Sequence, residues 1–146
     1  VLGQFGMMGR IGASVRDQAG LAYYAYSSLG GGLGPGPWYV SAGVDPVNVV
    51  RAVDLILEEI SRFVNEGVSR DELDDVQTQF VGSLPLSLES NAGVASVIIN
   101  MERYNLGLDY LQRYPDLIRS VTPEDVLETA NSYLDPHRMG IAIAGP

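Results

Sequence analysis

Over residues 20–29 and again over 38–42 side chains alternate in character with a period of two, and from residue 45 onward apolar residues recur every three or four. The first pattern belongs to strands and the second to helices. Leu21, Tyr23 and Ala25 alternate with Ala22, Tyr24 and Tyr26, which predicts a strand over 20–29 with two differently dressed faces. Trp38, Val40 and Ala42 repeat the pattern, and GGGLGPGP between the two runs predicts a flexible hairpin connection. Residues 1–16 mix Gly, Met and apolar side chains and are read as including the end of a helix that leads to Arg16.

Asp45 before Pro46 marks a helix start, because a short acceptor side chain is followed by a residue whose φ already suits the first turn. Val49, Val53, Ile56, Ile60, Phe63 and Val64 then form one apolar stripe that ends near Gly67 and is expected in the core. Ser69 and Glu72 have the spacing of a capping box, and Leu73, Val76, Phe80 and Leu84 carry a second stripe until Pro85 kinks or ends it. A third helix with Val94, Val97, Ile98 and Met101 stops near Gly107, its aliphatic row read as core. Asp109 is placed to cap a short helix containing Leu111, with Pro115 interrupting the run before Leu117 and Ile118. Thr122, Pro123 and Asp125 mark a further start, leading to Val126, Ala130, Tyr133 and Leu134. The closing MGIAIAGP reads as a buried strand. Two strands, a series of helices and a last strand predict an α+β fold, an antiparallel sheet with helices packed on one face.

At 146 residues and 46% hydrophobic, the chain has the size and apolar content of a single domain over 1–146. No run approaches the ~18–20 apolar residues of a bilayer span, so no membrane partner is expected. With no Cys there is no disulfide framework and no thiol chemistry, which leaves the compartment open. All 9 cationic side chains are Arg, excluding Schiff-base chemistry on Lys. A net charge of −9, with those arginines dispersed among 18 carboxylates, argues against nucleic acid. An acidic chamber for basic peptides is one reading of the charge. The simpler one is that Asp71, Glu72, Asp74 and Asp75 complement the dipole at a helix start. The Gly-rich run is not a phosphate loop, because Pro35 and Pro37 remove amide donors and a strand, not a helix, follows.

The strongest candidate for chemistry is the pair Arg16 and Tyr23 in SVRDQAGLAYYAYSS, set just before the aromatic strand. A guanidinium and a phenol at one sheet edge can together hydrogen-bond a peptide carbonyl and steady negative charge on its oxygen. GRIGASVRDQAGLAYYAYSS, PWYVSAGVDP, SRDELDDVQTQFVGSLPLSLES and the closing AGP resemble the insulinase, pitrilysin and mitochondrial processing peptidase family of zinc metallopeptidases, and within it the carboxyl-terminal, non-catalytic half. That resemblance covers nearly the whole chain. It implies the same α+β architecture, a zinc-bearing amino-terminal half or subunit as partner, and a peptide substrate. It also implies substrate binding by Arg16 and Tyr23, with Tyr23 stabilising the oxyanion in trans to the metal.

The resemblance implies further that the domain is a fragment of a longer chain, lacking its first strand, and that the unpaired sheet edge can drive strand pairing and a homodimer in isolation. Catalytically dead relatives serve as scaffolds, and a scaffold or protein-interaction domain is the alternative; the presence of both Arg16 and Tyr23 favours the peptidase reading. No metal site is expected in this chain, and zinc is expected in the partner half. Catalytic zinc needs about three His or carboxylate ligands around an open position, whereas the chain has 1 His, His137, in the turn LDPHRMG. A zinc titration followed by calorimetry at neutral pH is therefore expected to show no stoichiometric submicromolar site, and zinc added to this chain alone should produce no peptide hydrolysis. A tight site or zinc-dependent turnover would overturn the non-catalytic assignment.

Overall fold

The computed structural model describes residues 1–4 and 9–145; residues 5–8, inside the predicted lead-in to Arg16, and Pro146 lie outside the described residues. Strands β1 (Ala22–Leu29) and β2 (Trp38–Val44) form an antiparallel hairpin. Its Gly-rich loop is closed by the Gly30 N–H, which donates to the Pro37 carbonyl at 2.9 Å. Ala25 and Ser27 are buried, opposite Ala42 and Val40, and Leu29 lies opposite Trp38. The register slips between Ala22 and Tyr24, so Tyr23 is an extra, bulged residue. That bulge breaks the regular alternation of faces expected for Leu21, Tyr23 and Ala25.

Helix α1 (Gly9–Gly12) runs directly into a π-helical segment (Ala13–Gln18). Ile11 and Val15, four residues apart and so on one face, are fully buried against the hairpin and α2 (Val49–Glu66). Asp45 caps the 3-10 turn Pro46–Asn48 that starts α2, its carboxylate accepting from the Val47 N–H at 3.1 Å. The stripe of α2 buries Ala52, Ile60 and Phe63, and the helix stops at Gly67, whose φ of 69° is one that side chains with a Cβ resist. Helices α3 (Arg70–Ser87) and α6 (Pro123–Tyr133) both open on capping boxes, Ser69 with Glu72 as expected and Thr122 with Asp125 at the expected helix start. Between them lie α4 (Asn91–Arg103) and α5 (Tyr110–Arg119). The return of α6 onto α2 is fixed by Asn131 Nδ2, which donates to the Val64 carbonyl at 3.2 Å. Buried Gln77 of α3 donates to the Ile118 and Val121 carbonyls at 2.9 and 2.8 Å, satisfying acceptors that the end of α5 leaves open.

The α+β class is as expected, and four local readings are corrected. Residues Met139–Gly145 form no strand, and the sheet of the described residues has two strands, because that segment pairs with no strand among them. Val94 and Ile98 of the aliphatic row are exposed, Val97 and Met101 only half-buried, and α4 buries no residue, since no other element packs closely on it among the described residues; Phe80 on the far half of α3 is likewise open. Pro115 sits inside α5, which continues to Arg119, so it forfeits one intrahelical bond without ending its helix, whereas α3 does end within two residues of Pro85. Asp109 stands at the start of α5 but makes no side-chain cap; its carboxylate accepts from Arg113 Nε at 2.7 Å. Among the described residues, no helix is long and apolar enough to cross a membrane.

One carboxylate joins the front of the molecule to the helices behind it. Glu72 accepts from Arg10 Nε at 2.8 Å and Nη2 at 2.6 Å, a two-pronged pairing that suits the planar guanidinium, and from the Ser69 N–H at 3.0 Å. Arg10 also lies over the Phe63 ring, 5.5 Å from its centre. The hydrogen bonds from Arg10 are the main cause that lowers the Glu72 pKa from 4.5 to about 2, burial opposing and the Ser69 amide adding to it. Because the folded-state value is the lower one, the stabilisation is complete above about pH 4.5 and fades as pH falls toward 2. Glu72→Gln is expected to cost about 1–2 kcal/mol at pH 7, after allowance for solvent screening of a partly exposed pair, and to flatten the loss of stability between those pH values. Urea unfolding at pH 7 and pH 3 checks this, and an unchanged difference between the two would count against it.

Candidate functional site

Arg16 and Tyr23 are brought to the same end of the hairpin by a turn of three residues. The Ala19 N–H donates to the Ser14 carbonyl at 3.1 Å, the five-residue spacing of a π-helix, and the Gly20 N–H donates to the Arg16 carbonyl at 3.0 Å. The Leu21 N–H then donates to the Val15 carbonyl at 3.0 Å, reversing the chain into β1. Gly20 has φ +65° with open space where a Cβ would stand, so glycine is required here by backbone conformation and not by crowding. Arg16 therefore lies on a π-helix and Tyr23 on a β-bulge. Both irregularities recur near functional sites because they re-aim a side chain out of the regular repeat.

The two side chains differ in their surroundings. Arg16 is 29% exposed, yet its Nη1 atom is buried and among the described residues has no hydrogen-bond partner; Asp17 Oδ1 lies 3.9 Å away. A buried N–H without an acceptor is rare enough in folded proteins to need a reason. Tyr23 is 87% exposed, and no hydrogen bond joins the pair among the described residues. Beyond the bulge, Tyr24 and Tyr26 stack with ring centres 5.8 Å apart. Tyr24 lies over Gly43, where an added Cβ would come within 2.6 Å of the ring. The lone Gly43 in the β2 pattern is the sequence signal that could have announced the bulge. For the π-helix there is no comparable signal.

The residues present do not fit a zinc site. His137 is exposed in the short turn Pro136–Arg138, where its backbone N–H donates to Asp135 Oδ1 at 2.9 Å. No group of three or more His, Cys, Asp or Glu side chains able to hold a metal occurs among the described residues. No step through a metal follows from this chain.

Residues 1–80 match the family of the peptidase M16 inactive domain. The chain belongs to that family, in agreement with the resemblance drawn from its motifs. It is 30% identical over 144 residues to an uncharacterized zinc protease of Streptomyces coelicolor, a match covering 97% of this chain and 30% of the relative. Among solved structures, a peptidase M16 inactive domain from Pseudomonas fluorescens superposes with a TM-score of 0.82 at 27% identity, covering 93% of this chain and 32% of that one. A protease from Helicobacter pylori shares the fold, with a TM-score of 0.73 at 20% identity over 90% of this chain and 32% of its own. The chain thus spans about a third of the length of these relatives. Gly20→Ala, which meets no steric contact but must adopt φ +65°, is expected to destabilise the domain by about 1 kcal/mol. A shift in urea midpoint without a change in slope would show it, whereas an unchanged midpoint would mean that the turn tolerates a side chain.

Proposed function

We propose that this domain is the non-catalytic half of a zinc metallopeptidase, a single domain over 1–146 that belongs to a longer protein, closes the substrate chamber and binds peptide for hydrolysis by a zinc-bearing partner half. The observation that carries the reading is the partly exposed guanidinium of Arg16, whose Nη1 has no hydrogen-bond partner among the described residues, seven residues before the solvent-exposed Tyr23. The exposed part of the guanidinium is open to an acceptor from outside the domain, and an extended peptide offers carbonyl oxygens at regular intervals. The Tyr23 hydroxyl can then donate to the carbonyl under attack as its oxygen gains charge, a contact stronger in the transition state than in the ground state. Bond cleavage itself is left to the partner half, in keeping with the donor set of this chain. The relatives support the setting, being zinc proteases or M16 domains in chains about three times as long.

With the zinc-bearing half present, Tyr23→Phe removes only a hydroxyl from an exposed ring and is expected to lower kcat by ~10²-fold or more while changing KM little. Arg16→Lys replaces a planar fork by a point charge and is expected to act mainly through a higher KM. Steady-state kinetics on both variants, with folding checked by circular dichroism, test the assignment. Near-normal kinetics in both would favour a scaffold role for the domain.

A further inference from the structure

The bulge does more than expose Tyr23. Ala22, Ala25, Val40, Ala42 and Val44 pack on the core, and Ser27 is buried with them, so this is the inner face of the hairpin. In an unbroken strand Tyr23 would share that face with Ala25, as alternate residues do. The register shift sets one extra residue between Ala22 and Tyr24, and Tyr23, Tyr24 and Tyr26 all come to the outer face. Tyr39 joins them from β2, diagonally across from Tyr26, whose direct partner is Ser41.

The outer face is paved with rings. An added Cβ at Gly43 would come within 2.6 Å of Tyr24, so that ring lies down across the glycine. The Tyr24 and Tyr26 rings have centres 5.8 Å apart and are tilted by 38° to each other. Tyr24, Tyr26 and Tyr39 remain 36%, 36% and 45% exposed. Charge decides which side chain suits this surface. The sequence holds no charged residue from Gln18 to Val44, and the carboxylates at the two ends of that stretch are engaged, Asp17 with Arg16 at 3.9 Å and Asp45 with the Val47 N–H at 3.1 Å. Arg16 precedes the strand, and Arg138 lines the same groove as Tyr24 and Tyr39. A Lys or Arg side chain leaving water for this face meets ring surfaces but no free carboxylate, with guanidinium groups at the margin. An aromatic side chain gives up no charge hydration there and finds rings to pack on, edge to face or offset.

We propose that the Tyr24–Tyr26–Tyr39 face is a specificity subsite, selecting peptides that carry an aromatic side chain two or three residues from the bond cleaved; this rests on the peptidase reading of Arg16 and Tyr23 given above. The spacing follows from strand geometry. Tyr26 lies three residues along β1 from Tyr23, roughly 10 Å at ~3.4 Å per residue, and an extended peptide advances at the same rate.

The test uses the complete protein, zinc-bearing half included, and peptides built on a sequence that it cleaves, with Phe, Leu or Arg placed two and three residues to either side of the cleaved bond. At one of these positions kcat/KM for Phe is expected to exceed that for Leu and for Arg by ~3–10-fold, the worth of a ring–ring contact. Tyr26→Ser and Tyr39→Ser should each shrink that ratio, whereas Tyr26→Phe, which keeps the ring, should retain it. Tyr23→Phe should slow the Phe and Leu peptides alike and leave the ratio intact. Equal rates for Phe and Leu at every position overturn the proposal, as does a preference for Phe that survives both serine variants. A preference for Arg overturns it equally and assigns the face to cations. The two readings fail separately: slow turnover by Tyr23→Phe without any aromatic preference removes the subsite alone, and normal turnover by Tyr23→Phe beside a preference that needs Tyr26 removes only the role of Tyr23.

Discussion

The arrangement of the domain depends on the carboxylate of Glu72. It completes the capping box of α3 with Ser69 and grips Arg10 of α1 with both oxygens. A capping box is ordinarily a local device, settling where one helix begins. Here the same group reaches 62 residues back along the chain, so the start of α3 and the position of α1 are set together. The π-helical segment that bears Arg16 grows directly out of α1, and its location is inherited from this pairing. Burial of Ile11 and Val15 against α2 and the hairpin fixes the rotation that the ion pair leaves free.

Much of the fold was legible because its signals are local. Asp45 with Pro46, Ser69 with Glu72 and Thr122 with Asp125 each announce a helix within four residues, and all three caps form. The hairpin was equally plain, since a Gly- and Pro-rich run between two alternating segments has few other uses. What could not be read was whether an apolar row finds a partner. Val94, Val97, Ile98 and Met101 have the periodicity of a core face, but periodicity specifies a face and not what covers it. The segment Ile141–Ala144 failed for the same reason, a strand being a relation between two chains and not a property of one. Pro115 shows the opposite error: tertiary packing of α5 on α3, aided by Gln77, holds a helix that local propensity would break.

At the candidate site, residue identity was legible and geometry was not. The spacing of Arg16 and Tyr23 marked the pair, whereas the π-helix under one and the bulge under the other arise from the hydrogen-bond pattern of the turn between them. Arg10 escaped notice because its partner lies in a distant helix and its neighbourhood carries no motif. Tyr24 over Gly43 belongs to the same class, a pairing across strands visible only once the register is known.

The bulge at Tyr23 also bears on how the chain folds. A plain hairpin with a flexible Gly-rich loop can zip in several registers that differ by two residues and leave the same side chains inward. An extra residue at the root of β1, with the ring of Tyr24 resting on a glycine that alone leaves it space, makes those alternatives unequal. The register is thus marked at the root of the hairpin, where the turn at Gly20 holds the chain, and not at its Gly-rich tip. A single misaligned residue in the strand thus serves as an index mark for assembly.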